Sequence, residues 1–199
     1  GCARAMVLSR NETTLLALPG KHARQHYEAW WKREGRAPIA ISLGQHPLLF
    51  CVSAVEVPGG ISELGYAGAI RGEPIDVIRG EVTGLPFPAH AEIVLEGWIR
   101  PDHMAEEGYF GEWTGYYGGA EGLVPVFEIE RVYHRNNPIV LGSPPGKPPH
   151  DFSYMRSVMK SAMIHDALVL AGVPGVTAVW APESAGGRTI VVVAINQRF

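Results

Sequence analysis

The chain is 199 residues long, 46% hydrophobic and 19% charged, with 17 basic and 20 acidic groups leaving a formal charge of −3, enough for one full domain with a sizeable core. It has no excess of Lys and Arg to neutralise phosphates or anionic headgroups, which excludes a polybasic nucleic-acid binder or membrane-surface module. The 24 glycines and 16 prolines, about a fifth of the chain against roughly 12% in average usage, predict many shaped turns, while the ordinary apolar fraction excludes a disordered chain.

In chain order, Ala3 to Leu18 reads as two short strands around the polar turn Arg10-Asn11-Glu12, a hairpin. Lys21 to Glu34 contains no Gly or Pro and stops at Gly35, where a left-handed C-terminal cap is easy, so it predicts a helix. Pro38 to Leu43 follows as a buried strand and His46 to Ala54 as a short apolar helix or turn. Pro58-Gly59-Gly60 breaks that run before Ser62, a suitable N-cap for a helix to Ile70. Strands are expected at Ile75 to Arg79, Glu92 to Ile99 and Val124 to Arg135, the last with mixed faces that allow no face assignment.

A Pro/Gly loop, Gly142 to Pro149, leads into the clearest helix, Phe152 to Leu170. There Met155, Val158, Met159, Ala162, Met163, Ala167 and Leu170 recur at three- and four-residue steps, so one stripe is expected to face a core. Two final strands, Val176 to Ala181 and Thr189 to Ile195, close around Ser184 to Gly187, and the class is α+β. Cys2 and Cys51 cannot build a disulfide framework, which predicts a reducing, cytoplasmic setting. The longest low-polarity stretch, Ala167 to Pro182, is broken by Gly172, Pro174 and Gly175 and falls short of the ~20 residues a spanning helix needs. No signal peptide opens the chain, and both ends fall inside strand-like text after a first residue Gly1, so it reads as a piece of a longer polypeptide.

The densest unusual stretch runs from Glu106 to Tyr117. Glu107 and Glu112 would lie on opposite faces of a straight strand, or about 140° apart on a helix, and converge only if the chain bends. Gly108 and Gly111 are expected to supply that bend, with the aromatics walling a partly dry pocket where two carboxylates can take different roles. The same residues also fit a glycine-rich aromatic hairpin with solvated glutamates. No CxxC, HExxH or HxH spacing occurs, so His26, His46, His90, His103, His134, His150 and His165 are read as surface or satisfied core residues. His22 stands apart because it opens a helix, where exposed N–H groups favour a phosphate. No GxGxxG or P-loop accompanies it.

Read together, several segments resemble the UbiD family of prenylated-FMN-dependent reversible decarboxylases. They are Ala3-Arg4-Ala5-Met6, His22 with Arg24-Gln25, Ser62-Glu63, Gly68 to Pro74, Ala91 to Gly97, Glu107-Gly108-Tyr109-Phe110-Gly111-Glu112 and His134-Arg135-Asn136-Asn137. Their order and mutual spacing carry the likeness, from residue 3 to about residue 140. The resemblance implies a catalytic set of Arg4, Glu107 and Glu112, and a divalent metal, usually manganese, held through His22 and Glu63 and bridging to the cofactor phosphate, with potassium often alongside. It places the isoalloxazine against Cys2, Ala3 and Arg4 near Lys21, and the phosphate and monovalent ion near His22 and Ser53. Glu92 and Glu96 take no catalytic role by this matching.

The family's third metal ligand, an asparagine five residues before the arginine, would precede Gly1, and a later lysine and a C-terminal oligomerising portion would follow Phe199. Lys21 stands where relatives often carry glutamine, and Trp113 follows Glu112 at a position where subgroups differ. Residues 1–199 are therefore expected to be the central prenylated-FMN-binding catalytic domain, an α+β split β-barrel resembling flavin reductases, with helices packed on the sheet. The implied activity is non-oxidative decarboxylation of an aromatic, heteroaromatic or α,β-unsaturated acid by a homo-oligomer without a membrane span. A flavin-binding or assembly module without turnover is the rival reading, and a glycosidase-like carboxylate pair a distant third.

Overall fold

The computed structural model describes residues 1–55, 57, 59–118, 122–143 and 146–197. In chain order the elements are β1 (Glu12–Thr14), α1 (His22–Glu34), β2 (Ala37–Leu43), α2 (Pro47–Ser53), α3 (Glu63–Arg71), β3 (Val77–Arg79), β4 (Pro86–Pro88), β5 (Ile93–Glu106), β6 (Phe110–Gly111), β7 (Tyr117–Gly118), β8 (Leu123–His134), α4 (Asp151–Leu170), β9 (Val176–Trp180) and β10 (Val192–Ile195). The α+β class holds. The chain forms two compact units, one of Gly1–Tyr109 with Gly119–Leu141 and the other of Phe110–Gly118 with Gly142–Phe199.

The first unit is built on an antiparallel sheet in the order β1-β8-β5-β2. The expected hairpin forms, with Arg4 bridged to Leu16 and Val7 to Thr13 around the turn that β1 continues. Among the described residues the sheet keeps two edges, β1 and β2, and no closed barrel is formed. The strand expected over Glu92 to Ile99 runs on to Glu106, because its register with β8 shifts twice and absorbs the polar stretch around Pro101. The first shift needs a glycine: a Cβ on Gly97 would stand 1.9 Å from the Glu128 carbonyl oxygen.

Helix α1 forms because no residue in it breaks the ladder, and Gly35, at φ 71°, ends it with an N–H bond to the Trp31 carbonyl. It covers the sheet through Tyr27 and Trp31, whose rings lie 4.6 Å apart, and the indole N–H of Trp31 donates to the Ile99 carbonyl at 3.0 Å. Leu15, Ala17, Tyr27, Ala37, Ile99 and Phe127 form the core beneath it. The β2 strand, expected to be buried, is buried only at Ala37 and Pro38 and partly covered through Ile41 and Ser42, as befits a sheet edge. Pro47 starts α2 after His46, whose ring Nδ1 accepts the Leu48 N–H at 3.2 Å. Ser62 occupies the N-cap position of α3 as expected, but its hydroxyl makes no capping bond.

The second unit contains the short β6–β7 hairpin, the twenty-residue α4 and the β9–β10 hairpin. The apolar stripe expected to face a core on α4 does not: Val158 and Leu170 are 62% and 87% exposed, and the buried face is Ser153, Ser157 and Ser161. Each later hydroxyl donates to a carbonyl one turn back, Ser157 to Ser153 at 2.7 Å and Ser161 to Ser157 at 2.6 Å, so their burial strands no donor. The small side chains also admit neighbouring backbone, since Ala181 N–H donates to Ser161 Oγ at 2.9 Å and a Cβ on Gly187 would meet Ser157 N at 3.2 Å. Close approach, not apolar area, sets this helix face. Among the described residues no helix is long and apolar enough to cross a membrane.

Candidate active site

The first unit brings Arg4 and Glu107 together across 103 positions of sequence. Main-chain bonds in both directions to Leu16, at 3.1 and 2.8 Å, fix the Arg4 backbone on the hairpin. Glu107 leaves the end of β5 with its N–H bonded to the Gly122 carbonyl at 3.1 Å. Arg4 Nε donates to Glu107 Oε1 at 2.8 Å and Nη2 to Oε2 at 2.5 Å, a two-pronged pair. The Glu107 side chain is fully buried and that of Arg4 is 15% exposed, so the pair is anchored at the carboxylate.

Glu112 lies in the second unit, on the turn between β6 and β7. Its N–H donates to the Tyr116 carbonyl at 2.8 Å and its own carbonyl accepts the Gly115 N–H at 2.9 Å. Gly108 and Gly111, expected to bend the chain between the two acids, do not take a left-handed backbone; Gly115, in the turn that follows Glu112, does, at φ 88°. Gly108 is small for a different reason, because a Cβ there would stand 3.2 Å from the Met6 methyl carbon. Under Glu112, a Cβ on Gly118 would lie 3.0 Å from its Cγ, so the acid's side chain rests on bare backbone.

His22 and Glu63 also meet, His22 Nδ1 lying 3.9 Å from Glu63 Oε1. Two donors each about 2.0 to 2.3 Å from one cation are at most about 4.6 Å apart, so this imidazole and carboxylate can share an ion. His22 sits one residue inside the start of α1, after Lys21 at the cap. Cys2 and Ala3 are exposed beside Arg4 in the chain, and Ser53 turns its hydroxyl onto the Phe50 carbonyl at 2.8 Å, within α2. Among the described residues no group of three His, Cys, Asp or Glu stands in metal-binding proximity.

Glu96 and Glu92 are structural, as read from the sequence. Glu96 is fully buried and accepts from Thr83 N–H at 2.7 Å, Thr83 hydroxyl at 2.5 Å, Val82 N–H at 3.2 Å and Tyr133 hydroxyl at 2.7 Å. Burial works to raise its pKa, and these donors outweigh burial and hold it low, so it is a charged pin for the 82–83 turn. Glu92 accepts the Ile139 N–H at 3.2 Å. What sequence reading missed is the packing of the acid-bearing turn, where the Trp113 ring lies against Gly186 and beneath Arg188. The Gly186-Gly187-Arg188 triplet was a visible signal, passed over as an ordinary turn.

Residues 1–148 match the family described as UbiD, the 3-octaprenyl-4-hydroxybenzoate carboxy-lyase Rift-related domain. A pyrrole-2-carboxylic acid decarboxylase of Pseudomonas aeruginosa is 36% identical over 177 residues, covering 89% of this chain and 36% of that protein. Among solved structures, the evolved dimeric form of the UbiD-class enzyme HmfF from Pelotomaculum thermopropionicum, in complex with prFMN, superposes with a TM-score of 0.88 at 28% identity, over 99% of this chain and 45% of that one. The apo 3,4-dihydroxybenzoic acid decarboxylase of Klebsiella pneumoniae gives 0.83 at 28% identity, over 99% and 42%. The vanillic acid decarboxylase of Sedimentibacter hydroxybenzoicus in open form gives 0.85 at 30% identity, over 99% and 42%. The chain thus spans about a third of the curated relative and less than half of each of these structures.

Proposed function

The chain belongs to the UbiD carboxy-lyase family, and we propose that it is the prenylated-FMN-binding catalytic domain of a non-oxidative, reversible decarboxylase. The substrate class is an aromatic, heteroaromatic or α,β-unsaturated carboxylic acid, with a heteroaromatic acid such as pyrrole-2-carboxylate the first to try. The observation that carries this reading is the two-pronged Arg4–Glu107 pair, buried at the carboxylate. With its plane fixed by Glu107, the guanidinium orients the substrate carboxylate at the reacting centre. Glu112 supplies the proton that replaces carbon dioxide, and works in the reverse direction as the base.

His22 and Glu63 would hold the divalent ion, manganese by this reading with potassium as a second ion, and their 3.9 Å approach suits one shared cation. The start of α1 behind Lys21, together with Ser53, would face the cofactor phosphate. When bound, the prenylated flavin supplies the electron sink for the carbanion, which no side chain here could provide. The flavin-reductase-like split barrel, a homo-oligomeric parent and a cytoplasmic setting belong to the same proposal. The test loads the full-length protein with prenylated FMN and manganese and measures carbon dioxide release from pyrrole-2-carboxylate, benzoate-type and acrylate-type acids. Release that is lost in Glu112→Gln while flavin stays bound is the expected result. Flavin binding with no release or isotope exchange from any acid would instead favour the assembly module.

A further inference from the structure

We infer that Trp113 is a positioning residue for Glu112, lodged against the Gly186-Gly187 turn so that the acid keeps its orientation. The inference rests on the reading of Glu112 as the proton donor. Strands β6 and β7 contribute two residues each, and so short a hairpin is not stable by its own pairing. Something outside the hairpin must hold the turn that carries the acid. The residue following Glu112 provides it, since the Trp113 ring stands where a Cβ on Gly186 would be, 2.8 Å from both Cε3 and Cζ3.

The turn under the ring is itself fixed. Gly186, at φ 65°, donates its N–H to the Glu183 carbonyl at 2.9 Å, and Gly187, at φ 60°, donates to the Pro182 carbonyl at 2.9 Å. Gly187 in turn presses on Ser157 of α4, where a Cβ would have only 3.2 Å. Two glycines therefore form a thin wedge between the indole and the longest helix of the unit, and any side chain at either would force them apart. Arg188, the next residue, places its guanidinium carbon 5.2 Å from the centroid of the Trp113 ring, a cation–π contact on the same indole. On the hairpin's other side, Gly115 has no room for a Cβ because Lys147 lies 2.7 Å from where it would stand. The acid thus follows a line of contacts, Glu112–Trp113–Gly186–Gly187–Ser157, that ends on a rigid helix.

This makes a statement that a merely structural tryptophan would not. If Trp113 only fills space, its loss lowers stability and leaves the chemistry of the remaining folded protein alone. If it positions the acid, its loss lowers kcat at nearly unchanged KM, and does so only while Glu112 is there to be positioned.

The test uses the full-length holoenzyme with pyrrole-2-carboxylate as probe, comparing Trp113→Ala, Trp113→Phe, Gly186→Ala and Glu112→Gln. Trp113→Ala and Gly186→Ala should lower kcat by ~10- to 100-fold, change KM by about twofold or less and keep flavin affinity, while Trp113→Phe recovers most of the rate. On the Glu112→Gln background, Trp113→Ala should cost about twofold or less. Unchanged kcat in Trp113→Ala and Gly186→Ala, or a full additive loss on Glu112→Gln, overturns the inference. Should the alanine variants lose flavin binding, the kcat of Trp113→Phe with and without Glu112→Gln decides, an equal loss on both backgrounds counting against positioning. Full activity in Glu112→Gln would overturn the proton-donor reading instead.

Discussion

Replacing Glu107 with Gln keeps the size of the side chain and removes its charge, leaving Arg4 with an amide. The carboxylate accepts Nε at 2.8 Å and Nη2 at 2.5 Å from a fully buried position. A glutamine oxygen can replace one of these acceptors, but its NH2 then faces the other guanidinium N–H, donor against donor. Breaking a fully buried pair costs about 3 to 5 kcal/mol. Arg4 remains 15% exposed and can recover some hydration, so we expect about 2 to 3 kcal/mol of destabilisation. The assay is urea unfolding of the full-length apoprotein in a double-mutant cycle with Arg4→Met. Glu107→Gln should be costly beside Arg4 and neutral or stabilising in Arg4→Met, where the wild-type carboxylate is buried without its cation. A cost below about 0.5 kcal/mol beside Arg4, or no coupling between the two changes, would refute the clamp.

Glu96→Gln should cost about 1 to 3 kcal/mol at neutral pH, because the Thr83 and Val82 donors lose an anion. Glu96 has a folded pKa below its unfolded value of about 4.3, so its contribution is present above that value and fades as pH falls through the lower folded pKa. Tm measured against pH should therefore drop more steeply for wild type than for Glu96→Gln in acid, and parallel curves would count against the pin. His22→Ala and Glu63→Ala should each weaken manganese binding to the full-length apoprotein by at least ~10-fold in titration calorimetry, given that even outer-sphere partners cost that much. Gly97→Ala should destabilise by about 1 to 3 kcal/mol in urea, since its Cβ meets the Glu128 carbonyl oxygen at 1.9 Å.

Local signals were legible where one residue decides the outcome. Gly35 ended α1 where expected, and the polar turn after Leu8 produced the hairpin that carries Arg4. The resemblance supplied Arg4 with Glu107 and His22 with Glu63, pairs separated by up to 103 positions, which no periodicity could have joined. The misreadings have a common cause in backbone packing. On α4 the three- and four-residue steps of methionine and valine were real, yet the serine row won the buried face because Gly187 and Ala181 approach the helix too closely for larger side chains. The extension of β5 past Ile99 was hidden because Arg100, Pro101 and Asp102 end the apolar run, while its register shift lets them continue the strand. Gly108 and Gly111 keep negative φ, and the left-handed glycine of this stretch, Gly115, shapes the turn after Glu112 instead.

The two carboxylates of the proposed chemistry, five positions apart, belong to different compact units, and each is held by means suited to its task. A clamp must present one unvarying cation, and Glu107 achieves this from complete burial, at the end of a fourteen-residue strand, with both oxygens engaged by Arg4. A proton donor must change charge in every turnover, and contact with water eases that change. Glu112 is accordingly only partly buried, on a short hairpin whose shape comes from main-chain bonds and glycine contacts that do not depend on its charge. The sharp change of environment within Glu107-Gly108-Tyr109-Phe110-Gly111-Glu112 is the physical reason that this segment fits neither strand nor helix periodicity. One carboxylate is taken out of water for good, and the other keeps part of its surface in it.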